Sequence, residues 1–193
     1  MVPSQNHYPR CHMFKNIKKR IKGAVKKIKG ASKKLKGFIS RKIKGIFILP
    51  VTYGKPVEEI ISENPGKVHH FDKRITSANF PAAKENRTEK IPFKVFPHYA
   101  TSEKALLRME QKGYRPADIF ELLQIAGAPE KIPRGYRRKS LVALGSTHQD
   151  MDGKKRVPAI LGNEYAHEVP LIERMDKWPR HFRFIGVAKD YKP

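Results

Sequence analysis

The chain has 193 residues, with 41 Lys and Arg against 18 Asp and Glu, and a formal net charge of +23. A single cysteine excludes an internal disulfide framework, and the eight histidines lack the paired ligand spacing of a zinc site. No nucleophile elbow, phosphate loop or zincin helix is present, so the sequence predicts a non-enzymatic protein without cofactor, metal or small-molecule substrate. A charge this positive predicts a polyanionic partner.

The positive charge is concentrated at the start of the chain. Residues 1–49 contain 12 Lys, 3 Arg and no acidic residue, a charge of +15, whereas residues 50–193 carry the remaining +8. Residues 1–13 are polar and irregular, which is typical of a tail. Residues 14–49 predict a long cationic helical segment, here called the basic arm.

Four units repeat within the basic arm: IKKRIKG, AVKKIKG, ASKKLKG and FISRKIKG, over residues 17–45. The apolar positions recur every three or four residues at about 3.6 per turn, which favours a straight amphipathic helix over a supercoil. Glycines and crowded lysines oppose helix formation, so we expect the arm to become helical only on a partner. The candidate apolar docking stripe comprises Phe14, Ile17, Ile21, Ile28, Leu35, Phe38 and Ile43.

Two partners suit the basic arm. Lysines opposite the apolar stripe favour nucleic acid, RNA or DNA, inside a large assembly such as a virion or ribosome whose other proteins hold the stripe. The alternative is a membrane-active protein whose arm binds anionic bilayers. The residues before the lysines lack the apolar core of a secretory signal, which favours an intracellular or virus-particle location. The arm's candidate nucleic-acid-binding residues are Lys15, Lys18, Lys19, Arg20, Lys22, Lys26, Lys27, Lys29, Lys33, Lys34, Lys36, Arg41, Lys42 and Lys44.

A second basic cluster lies in the C-terminal half of the chain. Arg134, Arg137, Arg138 and Lys139 flank an aromatic residue, Tyr136, in a stretch without helical or strand periodicity. Arginine forks bind phosphates bidentately and aromatic rings stack on bases. These four cations are therefore further candidate nucleic-acid-binding residues.

The remaining sequence predicts a connector followed by an α+β domain. Six prolines punctuate residues 50–100, leaving one short helix after Pro56 and one strand from Ile91 to Val95. Residues 101–193 predict two helices and a short antiparallel sheet. The first helix is capped by Thr101 or Ser102 and ends before Gly113; the second opens at Pro116 and ends at Gly127. The strands are residues 140–144, 156–161 and 182–188; the first two form a hairpin around Asp152-Gly153, with Pro158 at an edge or bulge.

Four motifs in this region carry a resemblance: GYRPADIFELL (113–123), SLVALGS (140–146), DGKKRVPAIL (152–161) and FRFIGVAK (182–189). In this order they resemble a family of short uncharacterised bacterial proteins that end in a Trp-containing segment and an FRF-type strand. That order is in turn similar to C-type-lectin-like domains, which serve as ligand-binding scaffolds. The resemblance implies a fold and no activity. The stretch from 171 to 184 keeps Trp178 but is rich in Arg and Lys where the family has Gly, Asp and aromatic residues.

Overall fold

The structure is a computed structural model that describes residues 45–64, 67–162 and 167–189. Residues 14–44 of the arm's predicted helix, the docking stripe and the fourteen candidate cations lie outside the described residues. The described part is mixed α+β and consists of a curled sheet and three helices. This agrees with the predicted α+β class. The short antiparallel sheet predicted within residues 101–193 is instead part of a larger mixed sheet that includes strands from residues 46–96 and a parallel pair.

The described helices are α1 (Val57–Ser62), α2 (Ser102–Glu110) and α3 (Ile119–Ala126). Short 3-10 turns follow at Pro129–Lys131 and Arg134–Tyr136. The described strands are β1 (Ile46–Tyr53), β2 (Val68–Phe71), β3 (Arg87–Phe96), β4 (Tyr114–Pro116), β5 (Ser140–Val142), β6 (His148–Gln149), β7 (Lys155–Gly162), β8 (His167–Val169), β9 (Leu171–Glu173) and β10 (Phe182–Ala188).

Local sequence signals place two of the helices. The Thr101 hydroxyl accepts the Lys104 N–H at 3.2 Å and caps α2, as predicted. Helix α3 starts later than predicted, because Asp118 is its cap: the Asp118 carboxylate accepts the Glu121 N–H at 2.9 Å. The Glu121 carboxylate in turn accepts the Asp118 N–H at 2.9 Å, which completes a capping box. Pro116, the predicted first residue of this helix, instead ends β4.

The sheet runs in the order β1-β3-β10-β5-β7-β8-β2, with β4 beside β10 and both β6 and β9 beside β7. The pairs β10–β5 and β2–β8 are parallel, and the other pairs are antiparallel. The predicted pairing of residues 140–144 with 156–161 is confirmed by the register of Leu141 opposite Ile160. Strand β1 forms one edge of the described sheet.

Side chains on the two faces of the sheet form two separate cores. In β10, Phe182 and Phe184 point into the core under α2, whereas Ile185 and Val187 point into the larger core under α1 and α3. This alternation is the two-residue period of a strand that is buried on both faces. The apolar residues of the elements recognised in the sequence are buried in these cores: Leu122, Leu123, Leu141, Val142, Leu144, Ile160, Phe184 and Val187.

The structure corrects the boundary between arm, connector and domain. Residues 46–49, assigned above to the arm, form the first half of β1, and residues 50–100 supply β1, β2, β3 and α1 rather than a connector. The described residues of 45–193 accordingly belong to one compact unit. Proline has no backbone N–H, and the two prolines of β1 and β3 lie where the sheet does not need that donor. Pro50 is in an edge strand, and Pro92 precedes the four residues of β3 that pair with β10.

The prediction that Pro158 lies at a sheet edge or a bulge is wrong. Strand β7 pairs on both sides, with β5 through Ala159 and with β9 through Pro158 itself. The Pro158 carbonyl accepts the Ala143 N–H at 3.1 Å, so the nitrogen without a proton faces Ala143, immediately after β5 ends. The missing donor therefore coincides with the end of the neighbouring strand.

Candidate nucleic-acid interface

Residues 129–139 form a fixed loop, here called the basic loop. Ile132 is buried in the larger core and anchors it. The Arg137 guanidinium closes it by donating from Nε to the Ile132 carbonyl at 2.8 Å and from Nη2 to the Glu130 carbonyl at 2.5 Å. The predicted site residue Arg137 is therefore engaged with the loop's own backbone and holds its shape.

The other cations of the basic loop lie at its surface. Arg134 and Arg138 are exposed, and Lys139 is half-buried. Lys131, which belongs to the same basic cluster of the sequence, is exposed on this loop. Within the described residues, no carboxylate lies in ion-pair distance of Arg134 or Lys131. Lys131 and Arg134 thus present positive charge at the surface of the basic loop.

The aromatic residue of the basic loop lies against the beginning of β1. A Cβ built at Gly45 would lie 3.1 Å from Tyr136 Cε2 and 3.2 Å from its hydroxyl oxygen. Gly45 has φ +85°, which favours glycine, and its carbonyl accepts the Val95 N–H at 2.8 Å. Gly45 also ends the fourth repeat unit, so the basic loop lies beside the residue at which the arm's sequence ends.

Further cations occur on one face of the β1–β3 pair, here called the β1–β3 face. It consists of Ile46, Ile48 and Pro50 on β1, opposite Lys94, Pro92 and Lys90 on β3. These even-numbered residues point away from the larger core, which receives their odd-numbered neighbours. Ile48 is 55% exposed, and Pro50 and Lys90 are exposed as well.

Lys94 is the most unusual cation of this face. Its ammonium lies 5.3 Å from the ring centroid of Phe96 and 5.1 Å from that of Tyr114, and the two rings meet edge to face. Burial, and then the nearby charge of Lys112, lower the pKa of Lys94. Sequence reasoning missed Lys90 and Lys94 because residues 50–100 were interpreted as a connector. The alternation of Lys90, Pro92 and Lys94 was the available signal.

A buried polar cluster joins β1, β4 and α3. The fully buried Glu121 carboxylate accepts the Tyr53 hydroxyl at 2.6 Å and a two-pronged contact from Arg115 at 2.5 and 3.0 Å. Burial and the Glu121 charge raise the pKa of Asp118 to about 6, and burial raises the pKa of Tyr53. Because the donors of this cluster are directed at Glu121, its role in the fold is to pair a buried charge.

Other features of the described residues give no competing site. No group of three His, Cys, Asp or Glu side chains there could hold a metal ion. A shallow cavity of about 280 Å³ is lined by Glu103, Lys155, Arg174, Met175 and Asp176, whose charges are of both signs. Across the described ranges, the helices are all too short or too polar to cross a membrane.

Comparison with protein-family models, with curated proteins and with solved structures found no match to this chain. A functional proposal therefore rests on the surface of the described domain and on the sequence of the basic arm.

Proposed function

We propose that this protein is a non-enzymatic structural or accessory protein that binds nucleic acid through its basic arm and basic loop, within a large nucleoprotein assembly. The observation that carries this proposal is the packing of Gly45 against Tyr136. The arm's sequence joins the domain at Gly45, so Tyr136 of the basic loop lies beside that junction.

The charge distribution supports a phosphate backbone as the partner. Residues 1–49 supply +15, and the loop adds Lys131 and Arg134, neither of which lies in ion-pair distance of a carboxylate within the described residues. Each cation that neutralises a phosphate releases condensed counterions, which drives association and makes it dependent on salt. Repulsion among these cations destabilises the isolated protein, and an anionic ligand reduces that repulsion.

In this proposal the arm becomes helical when phosphates neutralise its lysines, and the apolar stripe packs on another protein of the assembly. The domain is the scaffold that fixes the arm's origin. The resemblance of its C-terminal motifs to short bacterial proteins and to C-type-lectin-like domains contributes only the idea of a binding scaffold, since it implies no activity.

Binding of the full-length protein to single-stranded RNA, duplex DNA and anionic vesicles at several salt concentrations tests the proposal. One variant changes five arm lysines to Gln, and a control changes five exposed domain lysines that have the same total charge. The arm variant is Lys18, Lys22, Lys26, Lys29 and Lys33 to Gln; the control is Lys67, Lys73, Lys84, Lys104 and Lys177 to Gln.

We expect the arm variant to weaken nucleic-acid binding, with the slope of log affinity against log salt reduced by about 0.7–0.9 per lost phosphate contact. The control changes net charge equally and should alter affinity much less. A third variant, with Ile21, Ile28 and Leu35 changed to Ser, distinguishes binding to membranes from binding to nucleic acid. The proposal is contradicted if the unmodified protein does not bind nucleic acid but binds vesicles, and if the three Ser substitutions abolish the vesicle binding.

A further inference from the structure

The β1–β3 face has a regular arrangement of charge and apolar surface. Paired residues lie directly opposite each other: Ile46 with Lys94, Ile48 with Pro92 and Pro50 with Lys90. The two lysines of β3 are four positions apart, so their Cα atoms lie about 13 Å apart along the strand. An apolar edge strand thus runs beside an inner strand with a cation near each end of the face.

The two lysines of this face and the neighbouring Lys112 have no carboxylate partner in the part of the chain that the structure describes. Within the described residues, no carboxylate lies in ion-pair distance of Lys90, Lys94 or Lys112. Lys94 is half-buried over two aromatic rings, and Lys112 acts on it as a like charge. Two neighbouring cations without an anion repel each other, and the repulsion is relieved when an anionic ligand binds.

The apolar half of the face favours one form of that ligand. Ile48 is more than half exposed on a flat strand surface, where it can contact the faces of sugars or unstacked bases. A duplex keeps its bases stacked and offers a flat protein surface mainly phosphates, whereas a single strand can lay its bases against apolar and aromatic side chains. Tyr114, half-buried beside Lys94, supplies a ring at one end.

We infer that the β1–β3 face binds single-stranded nucleic acid, with Lys90, Lys94 and Lys112 contacting phosphates and Ile48 and Pro92 contacting sugars and bases. This inference rests on the proposed function and names the form of nucleic acid that the domain selects. The face begins at Ile46, one residue after Gly45, at which the arm's sequence ends.

The test measures affinity of the full-length protein for a single-stranded oligonucleotide and for the duplex of the same sequence. One variant combines Lys94→Gln with Lys112→Gln, and its charge-matched control combines Lys84→Gln with Lys104→Gln. Lys90→Gln adds a substitution at an exposed site away from the aromatic rings, so its effect is independent of packing under Lys94. Ile48→Ser tests the apolar contact without changing charge.

For the single strand, we expect the Lys94→Gln/Lys112→Gln double variant to lower the slope of log affinity against log salt by about 1.4, or 0.7 per phosphate contact. Lys90→Gln should lower it by about half as much. Ile48→Ser should reduce affinity for the single strand severalfold, with an unchanged salt slope and unchanged duplex affinity. Melting curves of each variant confirm that the domain is folded.

The inference is overturned if the Lys94/Lys112 pair and Lys90→Gln match the control on a single strand that the unmodified protein binds. It is also overturned if Ile48→Ser weakens duplex and single strand equally. The five-lysine arm variant separates the two proposals: if it loses binding while these variants do not, the proposed function stands and the β1–β3 face is not part of it. A protein that binds neither form contradicts both.

Discussion

The Tyr53 hydroxyl donates a 2.6 Å hydrogen bond to the Glu121 carboxylate across 68 residues of sequence. Glu121 is fully buried, and Arg115, whose side chain is 40% exposed, neutralises it from the solvent side. The edge strand β1, in which Tyr53 is the last residue, is thereby tied to α3. The same helix packs beside the basic loop, so this bond links the edge strand to the element on which the proposed interface rests.

Removing the Glu121 carboxylate should therefore be costly. Glu121→Ala leaves the buried ends of Tyr53 and Arg115 and the Asp118 N–H without their acceptor. We expect a loss of about 3 kcal/mol in the free energy of unfolding, as for other broken buried ion pairs. Glu173→Ala is the control, because its pair with Lys154 is half exposed and should contribute less than about 1 kcal/mol. Equal midpoints for the two variants in urea would contradict the assigned role.

The same cluster predicts a pH dependence. The pKa of Asp118 is raised to about 6 by burial and by Glu121, above its value of about 3.9 in an unfolded chain. The folded state therefore binds more protons between about pH 4 and pH 6 than the unfolded state does, and this residue makes stability fall as pH rises through that window. Asp118→Asn keeps the oxygen that caps α3 but has no charge. The free energy of unfolding of Asp118→Asn, relative to that of the unmodified protein, should increase as pH rises from 4 to 7. Parallel curves of stability against pH for the two proteins would disprove this.

His167 predicts a dependence of opposite sign. It is buried in β8, its two ring nitrogens find no hydrogen-bond partner within the described residues, and burial lowers its pKa. The unfolded state then takes up a proton first as pH falls through about 6.5, so stability should drop below that pH.

His167→Leu removes both the unpaired nitrogens and the titration. We expect it to raise the free energy of unfolding by about 1 kcal/mol at pH 7 and by more at pH 5. His69→Gln, at an exposed position of β2, is the control and should change neither value. A His167→Leu protein that is less stable at both pH values shows that the imidazole makes a favourable contact.

The sequence predicted elements whose signals are local. Thr101 before α2, Gly127 after α3 and the turn at Asp152-Gly153 each act within a few residues, and the structure confirms their positions. Strand periodicity in residues 182–188 was equally readable because β10 is buried on both faces. The fold class followed from these elements alone.

What could not be predicted depends on contacts distant in sequence. The prolines of residues 50–100 suggested a connector, because whether Pro50 or Pro92 disrupts a sheet depends on which neighbour needs their missing donor. For the same reason, Lys94 and Lys112 could not be recognised as neighbours. The basic loop was identified by composition, but composition could not show that Arg137 bonds to the loop's own carbonyls while Arg134 stays exposed.

Truncation tests the corrected boundary at Gly45. Deleting residues 1–44 should leave a domain that melts cooperatively, because β1 and its pairing with β3 remain intact. Deleting residues 1–49 also removes Phe47 and Leu49, both buried in the larger core. Losing two such side chains costs about 5–8 kcal/mol, a large part of the roughly 5–15 kcal/mol that stabilises a domain.

We therefore expect the longer deletion to abolish the cooperative transition, or to lower its midpoint far below that of the shorter one, in calorimetry under identical conditions. If the shorter deletion is already molten, the arm belongs to the core and the boundary at Gly45 is wrong. If both deletions melt alike, the first half of β1 contributes nothing to the sheet. The folded shorter fragment should also lose most of the affinity for nucleic acid, because it retains the basic loop and the β1–β3 face but lacks the arm's lysines.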